Sequence, residues 1–169
     1  MKIIMRNLIV YYSRDGSTEA IAQEISRAVN GDLNKIELIK DTGYIRAGFA
    51  GSFGLHGKIK KYDFNVEDYD NIFIGTPVWG GKSSTPINTF IRDTDFTGKN
   101  VFIFITQFDD KIPYKVYTCI SRRVRLNHGR IIDYLFIQSG RKEILTSEQV
   151  VGPVTNWIKN LPISFDSMK

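Results

Sequence analysis

Five short apolar runs, alternating with stretches of helical spacing, constrain this 169-residue chain more than any other feature. The runs are Leu8–Tyr12, Leu33–Ile39, Asn71–Gly75, Val101–Ile105 and Ile131–Ile137. Between the first two, Ile21, Ile25 and Val29 recur every fourth residue, which predicts a helix with one buried stripe. A short helix around Pro86–Arg92 links the third and fourth runs. A longer one carries Val116, Ile120 and Val124 on one face, and a last helix carries Val150, Val154, Trp157, Ile158 and Leu161. Several runs are apolar at consecutive positions, so both faces of each strand must be covered. The expectation is an α/β, doubly wound three-layer sandwich with a five-stranded parallel sheet, forming one domain over residues 1–169.

Composition narrows the class. Charged residues make up 24% of the chain, close to the globular average of about 25%, which argues against disorder. No apolar run approaches the ~18 residues of a membrane span. Cys119 is the one cysteine, which excludes an internal disulfide and a cysteine-cluster metal site. Residues Met1–Asn7 lead directly into the first strand, so no signal peptide is expected, and a cytoplasmic location follows as an expectation.

The net charge of +5 is unevenly placed. Lys111, Lys115, Arg122, Arg123, Arg125 and Arg130 fall in one stretch without an acidic residue. Such a stretch is either a solvated helix face or a docking surface for an anionic partner. No zinc-finger spacing or RNA-binding aromatic motif accompanies it, so nucleic acid is not expected. Residues 41–66 break the strand–helix alternation. Gly43, Gly48, Gly51, Gly54 and Gly57 are interleaved there with Tyr44, Phe49, Phe53 and Tyr62, without a helical stripe. A connection this long in a compact domain is usually functional or disordered.

In doubly wound sheets ligands bind beyond the C-terminal strand ends. Three segments lie there. The first, Ser13-Arg14-Asp15-Gly16-Ser17-Thr18, joins a strand to a helix N-terminus, where unpaired N–H groups attract anions. It reads as a phosphate turn or as an ordinary turn with Ser17 or Thr18 as helix cap. The second is Gly75-Thr76-Pro77-Val78-Trp79-Gly80-Gly81-Lys82, an indole beside two glycines. It suits a planar ligand, or a Trp packed on the short helix. The third, Thr106-Gln107-Phe108-Asp109-Asp110-Lys111, offers another aromatic and two adjacent carboxylates.

Three competing motifs fail. A Walker loop ending at Gly81-Lys82-Ser83 would need glycine at Thr76. A G-x-G-x-x-G turn is absent after the first strand. A phospho-acceptor receiver would need an aspartate where Thr76-Pro77 stands.

The first segment combined with Gly-Thr-Pro-Val-Trp-Gly-Gly after the third strand resembles a flavodoxin-type FMN-binding protein, from about residue 6 to 161. The resemblance implies strand order 2-1-3-4-5 and FMN as cofactor. It assigns Ser13, Arg14, Asp15, Gly16, Ser17 and Thr18 to the FMN phosphate. Thr76, Pro77, Val78, Trp79 and Gly80 would face the isoalloxazine, with a peptide near Gly80 able to turn its carbonyl toward flavin N5. Thr106, Gln107 and Phe108 match the loop on the pyrimidine side. Trp79 or Phe108 is expected to stack on the ring, with Phe49, Phe53 or Tyr62 as the alternative cover.

Two departures stand out. The third loop lacks the glycine often found in the family. The isoelectric point near 9.3 is also far from the acidic values typical of electron-carrier flavodoxins. The resemblance implies an electron carrier between protein partners, and the basic charge implies a different partner from the usual one, a redox protein or anionic substrate docking through Lys111, Lys115, Arg122, Arg123 and Arg125. The alternatives are an FMN-dependent oxidoreductase, resembling a quinone reductase or protoporphyrinogen dehydrogenase, and an interaction module with weak or no FMN binding. His56 is expected to be a loop residue without function, His128 a helix-end residue before Gly129, and Cys119 inert core.

Overall fold

The structure, a computed structural model, describes residues 5–39, 57–140 and 143–165. Strands are β1 (Asn7–Tyr11), β2 (Asp32–Lys35), β3 (Asn71–Trp79), β4 (Lys82–Ser83), β5 (Asn100–Gln107) and β6 (Arg130–Gln138). Helices are α1 (Ser17–Val29), α2 (Thr85–Asp93), α3 (Tyr114–Leu126) and α4 (Ser147–Lys159), with a 3-10 turn at Val66–Asp68. The sheet runs β2-β1-β3-β5-β6, all parallel, and β4 pairs antiparallel with the end of β3. With the two-residue β4 set aside, this is the order 2-1-3-4-5 of flavodoxin-like sheets.

The alternation of each strand explains the three layers. Leu8, Val10, Ile72, Ile74, Val101, Ile103 and Ile105 face one side, against Ile87, Phe90 and Ile91 of α2 and Val116, Ile120 and Val124 of α3. Ile9, Tyr11, Phe73, Phe102 and Phe104 face the other, against Ile21 and Ile25 of α1 and Val150, Val154 and Trp157 of α4. The rings of Phe73 and Phe102 stack at 4.4 Å, with Trp157 edge-on to both. Each fully buried aliphatic or aromatic side chain contributes roughly 1.5–3 kcal/mol.

Some expected boundaries change. β2 begins at Asp32 and ends at Lys35, and Leu38 instead makes an isolated antiparallel bridge with Ile59. β3 continues four residues beyond Gly75 to Trp79, because the chain turns back on itself to form β4. Most of the Gly/aromatic connection, including Tyr44, Phe49, Phe53 and His56, lies outside the described residues. Tyr62 stacks on Phe64 at 4.5 Å and meets Phe90 edge-on. With Asp93, Thr94 and Asp95, Tyr62 and Phe64 line a hollow at the C-terminal end of α2, away from the strand ends that carry the three segments.

Cys119 is half-buried rather than core: it sits about 60° around α3 from Val116 and about 100° from Ile120, off the apolar stripe. His128 does terminate α3. It adopts φ 67°, its N–H meets Arg125 O and the Gly129 N–H meets Val124 O, the paired bonds of a Schellman end. At the opposite ends of the strands a buried amide ladder crosses the sheet. Asn100 Nδ2 donates to Asn71 Oδ1 (3.0 Å) and Asn71 Nδ2 to Asn7 Oδ1 (2.8 Å).

Candidate functional site

Parallel order brings the ends of β1, β3 and β5 side by side, so the three segments meet at one edge. The first turns sharply. Gly16 has φ 104°, a conformation costly for any residue with a Cβ, and an added Cβ would lie 3.1 Å from Ile144 Cγ2. Ser13 Oγ accepts from Gly16 N (3.0 Å), and Asp15 Oδ1 accepts from Ser17 N (3.1 Å). Gly16 stands at the N-cap position of α1, and neither Ser17 nor Thr18 caps the helix with its side chain. Both are buried: Ser17 Oγ accepts from Leu145 N (3.3 Å), and Thr18 Oγ1 lies 2.8 Å from Thr106 Oγ1.

The second segment is a β-hairpin. Val78 pairs with Ser83 and Trp79 with Lys82 across Gly80-Gly81. Both glycines have positive φ, 53° and 76°, the pattern of a type I′ turn that only such residues enter cheaply. A Cβ on Gly81 would meet nothing within 4 Å, so the turn stands in open space. Thr76 is fully buried and points away from this surface. Its Oγ1 accepts from Ser84 N (2.9 Å) and lies 3.0 Å from Ser84 Oγ, fixing the start of α2. Pro77, Val78 and Trp79 are half-buried and Gly80 is exposed.

Trp79 is held from two sides. Tyr12, the residue after β1, meets it edge-on at 5.2 Å. The Arg14 guanidinium lies over the indole at 5.0 Å from its centroid. A guanidinium over Trp is attracted by the ring's negative face, and the contact joins the first segment to the second. Neither Tyr12 nor this role of Arg14 was visible from residue spacing. The only signal was the aromatic pair Tyr11-Tyr12 at the strand end.

The third segment divides. Thr106 is a buried β5 residue, spent on Thr18. Gln107 closes the loop by donating from Nε2 to Lys111 O, while its carbonyl accepts from Ser139 N (2.9 Å). Phe108 is 48% exposed, and Ile112 and Tyr114, which follow it in the chain, are exposed as well. Asp109 accepts from Lys111 N (3.1 Å), and this backbone N–H holds its carboxyl below the usual range.

The expected cations separate as well. Lys115, Arg122 and Arg125 are exposed on the outer face of α3, and none makes an ion pair with a described residue. Lys111 is exposed in the third loop. Arg123 turns to the flank and donates to Asn88 Oδ1 of α2 at 2.5 Å, so it belongs to the packing between helices.

A flavodoxin family model matches residues 55–120, from the approach to β3 through most of α3. Solved structures match over most of the chain. A Lactobacillus acidophilus flavoprotein in complex with FMN is 22% identical, covering 78% of this chain and 93% of its own, with a TM-score of 0.67. Oxidised flavodoxin 2 from Bacillus cereus is 20% identical over 90% of this chain and 94% of its own, with a TM-score of 0.61.

The chain has the flavodoxin fold.

A candidate flavoprotein from Bacteroides eggerthii shares this flavodoxin fold with a TM-score of 0.74, at 21% identity over 95% of this chain and 99% of its own. No curated protein matches the sequence. Within the flavodoxin fold, the residues present can be weighed against a flavin. On the ring side they fit: an indole, a side-chain-free turn in open space and an exposed Phe108 surround one edge. On the phosphate side Gly16 brings bare backbone to the turn, with Ile144 packed closely against it. There, however, the hydroxyls of Ser17 and Thr18 are engaged within the protein, and the N–H groups of Gly16 and Ser17 are held by Ser13 Oγ and Asp15 Oδ1, so an anion at this helix start would have to take those N–H groups over. No helix among the described residues is long and apolar enough to cross a membrane, and no group of them has the composition of a metal site.

Proposed function

We propose that this chain binds one FMN in a single domain and carries electrons between partner proteins. The observation that carries the reading is the meeting of the Gly16 turn with the Trp79 hairpin at one sheet edge, joined through Arg14. Gly16, Ser17 and Thr18 at the start of α1 hold the phosphate through their N–H groups, which at Gly16 and Ser17 it takes over from Ser13 Oγ and Asp15 Oδ1. Pro77, Val78, Trp79 and Gly80 line the ring, with Gln107 and Phe108 beside them. FMN, when bound, supplies the one- and two-electron chemistry. The protein's share is to orient the ring, limit water around it and present one edge to a partner.

Lys111 and Lys115 offer that partner positive charge at the third loop and the first turn of α3, and Arg122 and Arg125 extend it along the outer face of α3 toward the opposite sheet edge. Charge of this kind mainly accelerates association. A second reading, an FMN-dependent oxidoreductase such as a quinone reductase, is favoured by the exposed apolar side chains of Phe108, Ile112 and Tyr114 in and after the third loop. Exposed apolar groups there suit an apolar substrate as well as a protein.

The test is a titration of the flavin-free protein with FMN, followed by flavin fluorescence and absorbance. One equivalent should bind, with quenching. Trp79→Ala should weaken binding by about 0.5–1.5 kcal/mol beyond the lost contact area. Failure to bind at micromolar FMN contradicts the reading. NADPH oxidation with quinones as acceptors separates the carrier from the enzyme.

A further inference from the structure

The first loop directs its charges in a way that does not suit a phosphate dianion. Its cation, Arg14, is placed over the Trp79 indole at the ring side. Its anion, Asp15, is placed at the start of α1, where Oδ1 takes the Ser17 N–H at 3.1 Å. The neighbouring Gly16 N–H is taken by Ser13 Oγ, and the hydroxyls of Ser17 and Thr18 face Leu145 and Thr106. A phosphate entering this turn must displace a carboxylate from an amide or share the turn with it. Like charges a few ångströms apart repel strongly even where solvent is near.

We infer that Asp15 is a specificity residue that lowers the preference of this site for phosphorylated over unphosphorylated flavin. The inference rests on the flavin-binding reading above and concerns this chain's own departure within it. The ring is recognised by Trp79, Arg14 and the Gly80-Gly81 turn, none of which depends on the phosphate. Discrimination between FMN and riboflavin therefore falls to the first loop. There the helix terminus attracts the dianion while Asp15 opposes it.

The experiment measures dissociation constants of FMN and riboflavin for the wild type, Asp15→Asn and Asp15→Thr, by flavin fluorescence at low ionic strength. Asp15→Asn keeps an oxygen that can accept from Ser17 N and removes only the charge. Asp15→Thr removes the charge and supplies a hydroxyl. Both should tighten FMN by at least about tenfold while riboflavin stays within about twofold, and the FMN gain should shrink with added salt. Circular dichroism checks that each variant is folded. If folded wild type and variants bind neither flavin, the flavin reading falls and this inference with it. If flavins bind but the FMN-to-riboflavin ratio is unchanged or lower in Asp15→Asn, this inference alone is overturned.

Discussion

Thr18 Oγ1 and Thr106 Oγ1 lie 2.8 Å apart, both almost wholly buried, and join the start of α1 to the end of β5. The two residues are 88 positions apart, so the bond exists only because the strand order places β3 alone between β1 and β5. It fixes the spacing of the first and third segments before any ligand arrives. Thr18 is thus a structural tie through its side chain, and only its N–H is offered to the site.

Removing one partner leaves the other hydroxyl buried without its bond. Thr106→Val should therefore destabilise the flavin-free protein by about 1–3 kcal/mol. The double variant Thr18→Val with Thr106→Val should cost no more than either single change, since no orphaned hydroxyl remains. Urea denaturation without flavin measures all three. Additive losses would show that the hydroxyls do not depend on each other.

Gly75 and Gly16 should respond unequally to alanine. A Cβ at Gly75 would lie 2.1 Å from the Phe104 ring inside the sheet, where neither side can move. Gly75→Ala should yield little folded protein. At Gly16 the obstacle is Ile144, 57% exposed and free to shift, so the backbone angle sets the cost. Gly16→Ala should fold with a loss of about 1–3 kcal/mol. Soluble expression and thermal melting compare them.

His128 occupies a left-handed position, φ 67°, that glycine enters without a Cβ penalty. His128→Gly removes that strain but loses a surface contact with Asp95 and loosens the unfolded chain. The sum should be a stabilisation of about 0.5–1 kcal/mol, read as a raised Tm. Asp95 keeps its hydrogen bonds from Thr97. A lowered Tm would mean that the imidazole–carboxylate contact outweighs the backbone strain.

Tyr69 gives stability a dependence on alkaline pH. Burial, then its hydrogen bond to Asp32 (2.7 Å), pushes the phenol up to about 12 from an ordinary value near 10. A folded-state value above the unfolded one means the contribution is complete below pH 10. It is lost as pH rises from 10 through 12. The stability gap between wild type and Tyr69→Phe should therefore narrow over that window. Denaturation at a series of pH values measures it, with tyrosinate absorbance as a check on the ionisation.

The layers were legible because apolar residues recur at periods that only strands and helices produce. Val116, Ile120 and Val124 needed nothing further. The site was legible in outline for a similar reason: a doubly wound sheet sends the segments after β1, β3 and β5 to one edge. What did not show was contact at long range. Arg14 reads as part of a phosphate loop, yet its side chain reaches the hairpin. Thr76 and Thr106 read as ligand-facing hydroxyls, yet each is spent inside the protein. The ladder of Asn7, Asn71 and Asn100 appears in the sequence only as three unrelated polar residues at strand starts. β2 is polar and mostly exposed, an edge strand whose apolar signal lay in the residues just after it.

The positive face of α3 can be tested more sharply than by its total charge. Lys115 and Arg122 lie seven residues apart on one line of the helix, and Arg125 lies beside them on the outward side. Arg123 differs, because its guanidinium holds Asn88 of α2. Substituting Lys115, Arg122 and Arg125 together by Glu should leave flavin affinity and Tm nearly unchanged, since none is packed or paired among the described residues. Arg123→Glu should lower Tm, because Asn88 is buried and a carboxylate would face its Oδ1. With an acidic redox partner, the triple variant should transfer electrons more slowly at low salt. The difference should fade toward physiological ionic strength, where the Debye length is about 8 Å. Stopped-flow rates against salt measure it. Rates that match the wild type at low salt would make the face a solvated surface with no part in docking.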